Sequence, residues 1–199
     1  MSFEPDLPAE IACLSVALGW AGFGAILLIG HRGSSKSEEK RDSKSSIGFL
    51  LQCGAYALCF VFARNYFSPL FPMSKTDETI LAVVTVMLAI GSLGFCYTAA
   101  RALGKQWALA ARVIEGHELI ARGPFAIVRN PIYLAMLGML LATGLAISRL
   151  WVLPIAIVVF VLGTAIRIRA EENLLRNAFG AVFEEYARRA PSFIPRLRS

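Results

Sequence analysis

The chain has 199 residues, enough for one compact domain or a small helical bundle, and 56% of them are hydrophobic, with a mean hydropathy of +0.60. That composition excludes an ordinary soluble domain and directs the reading to a membrane protein. The net charge of +6 flanks apolar runs and is not interleaved with exposed aromatics on one soluble face, which argues against nucleic acid as a partner.

Residues 1–10 carry acids and prolines but no basic residue, so they lack the positive region of a cleavable signal, and the first helix is expected to stay as an anchor. A hydrocarbon core needs about 20 apolar residues per helix. Runs at roughly 9–30, 47–67, 79–100, 131–148 and 150–166 predict five spans. The last two form a tight hairpin turning at Gly144 to Arg149, with Pro154 kinking the returning helix. The Ser, Lys and Glu-rich stretch from Gly33 to Ser46 reads as a solvated linker. Residues 65–78 read as an outer loop lying against the interface, and Arg101 to Trp107, with Lys105, as an interfacial junction. From Arg112 to Pro124, Gly116 and Gly123-Pro124 break any long helix and predict a short strand or turn.

After the last span, Leu174, Leu175, Ala178, Phe179, Val182, Phe183 and Tyr186 recur at steps of three and four, predicting an amphipathic helix over about 170–190 on the cytoplasmic side. Pro191 and Pro195 stop it. Close helix packing is expected at Gly19, Gly22, Gly24, Gly138 and Gly144, and at Gly91 and Gly94. The expected fold is therefore an all-α integral membrane protein with about five transmembrane helices plus a C-terminal cytoplasmic amphipathic helix. Residues 1–100 form its three-helix membrane region, and 101–199 a second region within the same structural unit.

Lys and Arg concentrate on the cytoplasmic side of membrane proteins. Residues 31–46 carry five, residues 101–130 five and the tail from Arg167 seven, against only Arg64, Lys75 and Arg149 elsewhere. This split predicts an N-terminus outside and a C-terminus, with the site, in the cytoplasm. Cys13, Cys53, Cys59 and Cys96 fall inside predicted spans without a CxxC, and His31 and His117 stand far apart, so no disulfide framework or metal site is indicated.

The densest chemistry lies in Arg122-Gly-Pro-Phe-Ala-Ile-Val-Arg-Asn-Pro-Ile-Tyr133 and in Arg167-Ile-Arg-Ala-Glu-Glu172. Charge at a bilayer exit is costly unless paired or used. Helical spacing pairs Arg167 with Glu171 and Arg169 with Glu172, while Pro131 suits the first turn of the fourth helix and puts Arg129 at its mouth. The bland alternative is a self-neutralised helix end, with Arg129 snorkelling to phosphates and Tyr133 in an aromatic belt.

The first block resembles the GPYRYVRHPIY signature of the isoprenylcysteine carboxyl methyltransferase family. The likeness continues through Glu171-Glu172, Phe179-Gly180, Tyr186 and Phe193-Ile194-Pro195, over roughly residues 101–197. The family's histidine is Asn130 here; an amide keeps a polar contact but does not titrate near neutrality. The resemblance implies an S-adenosylmethionine pocket lined by Gly123, Pro124, Val128, Arg129, Asn130 and Pro131. Tyr133, Leu134, His117 and Glu171 are expected to support it, with Arg167 and Glu172 as the catalytic centre.

Methyl transfer is an in-line displacement that needs collinear placement of donor and acceptor more than strong acids or metals. A carboxylate acceptor is already nucleophilic, whereas an amine must lose a proton. The membrane setting points to an acceptor with a long apolar tail, lipid-like or prenylated, entering from lipid. The leading expectation is a methyltransferase esterifying such a carboxylate. Phospholipid amine N-methylation, a sterol-reductase-like enzyme using nicotinamide, and a non-enzymatic membrane scaffold stay open beside it.

Overall fold

A computed structural model describes residues 6–32, 43–65, 68, 70, 74–104 and 119–195. His117, Lys105, Trp107, Arg112 and Gly116 lie outside the described residues, as do most of the Gly33–Ser46 linker and six residues of the 65–78 loop. Seven helices are seen among the described residues: α1 (Leu7–Arg32), α2 (Ser43–Val61), α3 (Lys75–Leu103), α4 (Pro124–Ile127), α5 (Pro131–Ile147), α6 (Val152–Phe179) and α7 (Ala181–Arg189). The only extended pairing among them is one antiparallel bridge, Ala63 to Ser148. The chain is an all-α membrane protein: α1, α3 and α6 are long and apolar enough to cross a bilayer, while α2 and α5 are shorter apolar helices.

The short α5 stands at the centre. Ala135, Met139, Ala142 and Ala146 pack against Ala12, Val16 and Phe23 of α1 and Ala82, Ala89 and Cys96 of α3. Leu140 joins Ala55 and Cys59 of α2 and Ala156 and Phe160 of α6 in a second cluster. Alanine dominates the first interface because small residues let backbones approach where lipid supplies no hydrophobic drive. Large side chains such as Leu14, Leu28, Ile90 and Leu162 face outward. Trp20, Tyr56 and Phe160 link α1, α2 and α6 edge to face, and the polar tips of the first two are satisfied on α5: Trp20 Nε1 donates to Thr143 Oγ1 (3.1 Å) and Tyr56 Oη to the Met136 carbonyl (2.7 Å).

Side chains Cβ-sized or larger are barred at Gly48 and Gly163, where a Cβ on either would fall 2.6 Å from the other's carbonyl oxygen, so α2 and α6 cross in close contact. Gly19, Gly22, Gly138 and Gly144 also meet neighbouring helices, but Gly24, Gly91 and Gly94 face open space, contrary to expectation. Their helix faces look outward, which a list of small residues does not reveal.

The α5–α6 hairpin turns over Ser148 to Trp151. Pro154 sits in the first turn of α6, where its missing N–H removes no ladder bond. Arg64, counted in the sequence only as a topology signal, caps α5. Its guanidinium donates to the carbonyls of Leu145 (2.9 Å), Ala146 (2.7 Å) and Ser148 (2.6 Å), three of the acceptors that a helix end leaves bare.

The predicted amphipathic helix over 170–190 is corrected. Residues up to Phe179 continue α6, and the break falls at Gly180, whose φ of 49° favours glycine; its N–H closes on the Arg176 carbonyl at 2.9 Å. Only the nine residues of α7 fold back, burying Phe183 and Tyr186 against Leu119, Leu175 and Phe179, while Leu174 and Val182 remain exposed.

Candidate functional site

The site lies at the end of the bundle where α5 begins and the second half of α6 emerges. Gly123, at φ 60°, turns the chain into α4 beside Ala102 of α3, and Pro124 opens that single turn. Val128 is fully buried and extended, which aims Arg129 and Asn130 inward before Pro131 starts α5. Tyr186 ties α7 to this segment by donating to the Phe125 carbonyl at 2.7 Å.

Arg129 does not snorkel. Its Nε donates to Glu172 Oε1 at 3.0 Å and its Nη2 to Oε2 at 3.1 Å, a two-pronged pair with both side chains nearly buried. Nη1 reaches the carbonyls of Ala187 (2.9 Å) and Ala190, and the Arg129 backbone N–H donates to the Pro191 carbonyl at 2.9 Å. Ser192 Oγ donates to Glu172 Oε1 at 2.6 Å. Asn130 Nδ2 donates to the Ser192 carbonyl at 2.9 Å and approaches Glu172 Oε1 at 3.4 Å. Glu172 thus closes the signature block, α6 and the chain after α7 into one knot. The spacing expectation of an Arg169–Glu172 pair is corrected: Arg169 points outward and Arg129, 43 residues away, takes the carboxylate. Ser192 was missed, being an ordinary serine between prolines in sequence.

One position earlier, Glu171 belongs to a second cluster. Tyr133 Oη donates to Glu171 Oε1, and Arg167 Nη2 stands 3.7 Å from the same oxygen, as the i,i+4 spacing predicts. The Arg167 guanidinium lies over the rings of Tyr133 (5.2 Å) and Phe49 (5.7 Å), and its Nη1 donates to Gln52 Oε1 at 3.1 Å. Its Nε is buried with no hydrogen-bond acceptor among the described residues. Tyr133 is buried beneath this cluster, in no outward-facing aromatic belt, and Leu134 is half-buried in the first turn of α5.

The structure therefore brings Arg129, Asn130, Tyr133, Arg167, Glu171 and Glu172 to one end of the bundle. Gly123, Pro124, Val128 and Pro131 shape the backbone that carries them. Phe49 and Gln52 of α2 are additions that sequence reading did not make; a lone glutamine in an apolar helix was the available signal. Among the described residues, no three His, Cys, Asp or Glu side chains gather as a metal would need.

Residues 80–182 match the phospholipid methyltransferase family. The chain is 34% identical over 131 residues to the cobalt-zinc-cadmium resistance protein CzcN of Cupriavidus metallidurans, covering 65% of this chain and 58% of that protein. It is 31% identical over 127 residues to the nickel-cobalt-cadmium resistance protein NccN of Alcaligenes xylosoxydans xylosoxydans, covering 62% and 56%. The chain thus spans less than two thirds of the length of these two relatives. Protein-S-isoprenylcysteine O-methyltransferase B of Arabidopsis thaliana is 28% identical over 162 residues, 77% of this chain and 80% of that one. With its signature block, its glutamate pair and more than half of its length inside the match, the chain belongs to the phospholipid methyltransferase family.

Proposed function

We propose that the protein is an integral-membrane methyltransferase that esterifies a carboxylate on a lipid-like substrate of the isoprenylcysteine type, with S-adenosylmethionine as donor. The observation that carries this reading is the buried Arg167 Nε, a donor with no acceptor among the described residues, beside Glu171 and two aromatic rings. The cluster fits a zwitterionic, cationic donor and an anionic acceptor: a carboxylate for an ammonium, a guanidinium for a carboxylate and rings for positive charge. Bound there, S-adenosylmethionine supplies an electrophilic methyl group on its sulfonium.

In this reading Glu171, oriented by Tyr133, holds the donor's ammonium, and Arg167 receives the acceptor carboxylate through Nε and orients it for in-line attack. No base is required, because a carboxylate attacks as it stands. Glu172 acts from behind: by locking Arg129 and Asn130 it sets the backbone from Val128 to Pro131 that forms the remaining wall. Asn130 serves as a hydrogen-bond donor, in keeping with a group that does not titrate. At 1.5 Å per residue, α2 and α5 reach about 28 and 26 Å, close to the roughly 30 Å core, so all five apolar helices are proposed to cross. The basic residues then put the N-terminus outside and the site in the cytoplasm, with the apolar tail of the substrate entering from lipid between helices.

The second reading, methylation of a phospholipid amine, is favoured by the family's own description. It needs a base to take the amine proton, and the Glu171 carboxylate stands in place for that. Incubation of detergent-purified protein with radiolabelled donor and either a farnesylcysteine analogue or phosphatidylethanolamine separates the two. The carboxylate reading predicts label released as methanol by mild base; label that survives base on the phospholipid supports the amine reading instead.

A further inference from the structure

One part of the site that lies outside the matched residues 80–182 comes from α2, which ends at Val61. Three residues of one α2 face, Gly48, Phe49 and Gln52, enclose Arg167. A Cβ on Gly48 would stand 2.6 Å from Arg167 Cγ, so the aliphatic stem lies in the groove that the missing side chain leaves. The Phe49 ring covers the guanidinium on the α2 side, and Tyr133 of α5 supplies another ring.

Gln52 is 1% exposed, and its orientation follows from its neighbours. A guanidinium only donates, so the amide oxygen must face Arg167 Nη1, at 3.1 Å. The amide nitrogen is then left to donate to Thr164 Oγ1 at 2.8 Å, and Thr164 is itself buried one helical turn before Arg167. Thr164, Gln52 and Arg167 thus form a directional chain that fixes Nη1, while the Glu171 carboxylate faces Nη2 at 3.7 Å as an ion pair. With Nη1 bonded and Nη2 facing the Glu171 carboxylate, the guanidinium plane is restrained, and Nε is left with no acceptor among the described residues.

We infer that Gln52 is a positioning residue for the reaction: by engaging Nη1 it turns the Arg167 guanidinium so that Nε presents to the acceptor carboxylate. This rests on the carboxylate reading of Arg167 given above. The residue acts through Arg167 and touches neither reactant. A buried glutamine between two helices also has an ordinary packing role, so its test must separate orientation from folding.

The test compares wild type with Gln52→Leu, which removes the acceptor at similar volume, and Gln52→Glu, which restores it. For each, thermal unfolding in detergent, S-adenosylhomocysteine affinity by calorimetry, kcat and KM with a farnesylcysteine acceptor, and the rate of phenylglyoxal modification of Arg167 by peptide mass spectrometry are measured. Gln52→Leu is expected to fold and to keep S-adenosylhomocysteine affinity. Its kcat/KM should fall on the order of tenfold or more, as loss of orientation does, and Arg167 should be modified faster. Gln52→Glu should recover most of both. Wild-type kinetics and modification in Gln52→Leu overturn the inference. So does an activity loss that follows a fall in thermal midpoint and is not recovered by Gln52→Glu. If wild type fails to bind S-adenosylhomocysteine, the functional reading falls, and the modification rates still show separately whether Gln52 orders Arg167.

Discussion

The Arg129 guanidinium closes on both oxygens of Glu172 across 43 residues of chain, with its third nitrogen on the carbonyls that end α7. Arg129→Ala leaves that carboxylate nearly buried without its cation and releases the α7 carbonyls. Breaking such a pair costs about 3–5 kcal/mol. Thermal unfolding in detergent should show a large drop, whereas Arg176→Ala, whose pair with Glu184 is half-exposed, should change little.

Tyr133→Phe removes the phenol that donates to Glu171 while leaving the ring under Arg167. The loss of one hydrogen bond to a charged group is worth about 1.5–3 kcal/mol, or roughly tenfold or more in affinity. Calorimetry should find weaker S-adenosylhomocysteine binding by that order, with the thermal midpoint moved much less than by Arg129→Ala.

Gly163→Ala drives a methyl group to 2.6 Å from the Gly48 carbonyl and 2.8 Å from Leu51 Cβ. Such overpacking costs about 1–3 kcal/mol and should lower the thermal midpoint and disturb Arg167 next to it. Gly91→Ala meets nothing within 4 Å and should be neutral or stabilising by up to about 1 kcal/mol, since alanine is the better helix former.

Arg64→Ala uncaps α5 at the end of the bundle away from the site. Several charge-assisted bonds to carbonyls are lost, each worth about 1.5–3 kcal/mol. Stability should fall without a change in S-adenosylhomocysteine affinity of the folded fraction, and Arg149→Ala, an exposed neighbour, should do neither.

Much of this architecture was legible because lipid imposes simple demands: long apolar runs become helices, and Gly123-Pro124 and Asn130-Pro131 mark where the chain turns and restarts. The Arg167–Glu171 pair followed from helical spacing. The partner of Glu172 did not, because local spacing offered Arg169 and only the tertiary fold offers Arg129. The end of α6 was misplaced for a related reason: the apolar rhythm runs unbroken through Phe179 and Val182, and only the backbone at Gly180 shows that the helix bends there. Ser192 carried no pattern at all, and Gln52 only that of a lone glutamine in an apolar helix; one matters through a single carboxylate oxygen and the other through a partner more than a hundred residues away.

That the Arg167–Glu171 cluster is a methyl-donor pocket can be decided by calorimetric titration of detergent-purified protein with S-adenosylhomocysteine, with NADPH as control and Glu171→Gln in parallel. Saturable binding of S-adenosylhomocysteine is expected, with none of NADPH and a clear loss of affinity in Glu171→Gln that exceeds what any shift in its thermal midpoint explains. Binding of NADPH alone, or S-adenosylhomocysteine affinity indifferent to Glu171→Gln, would contradict it.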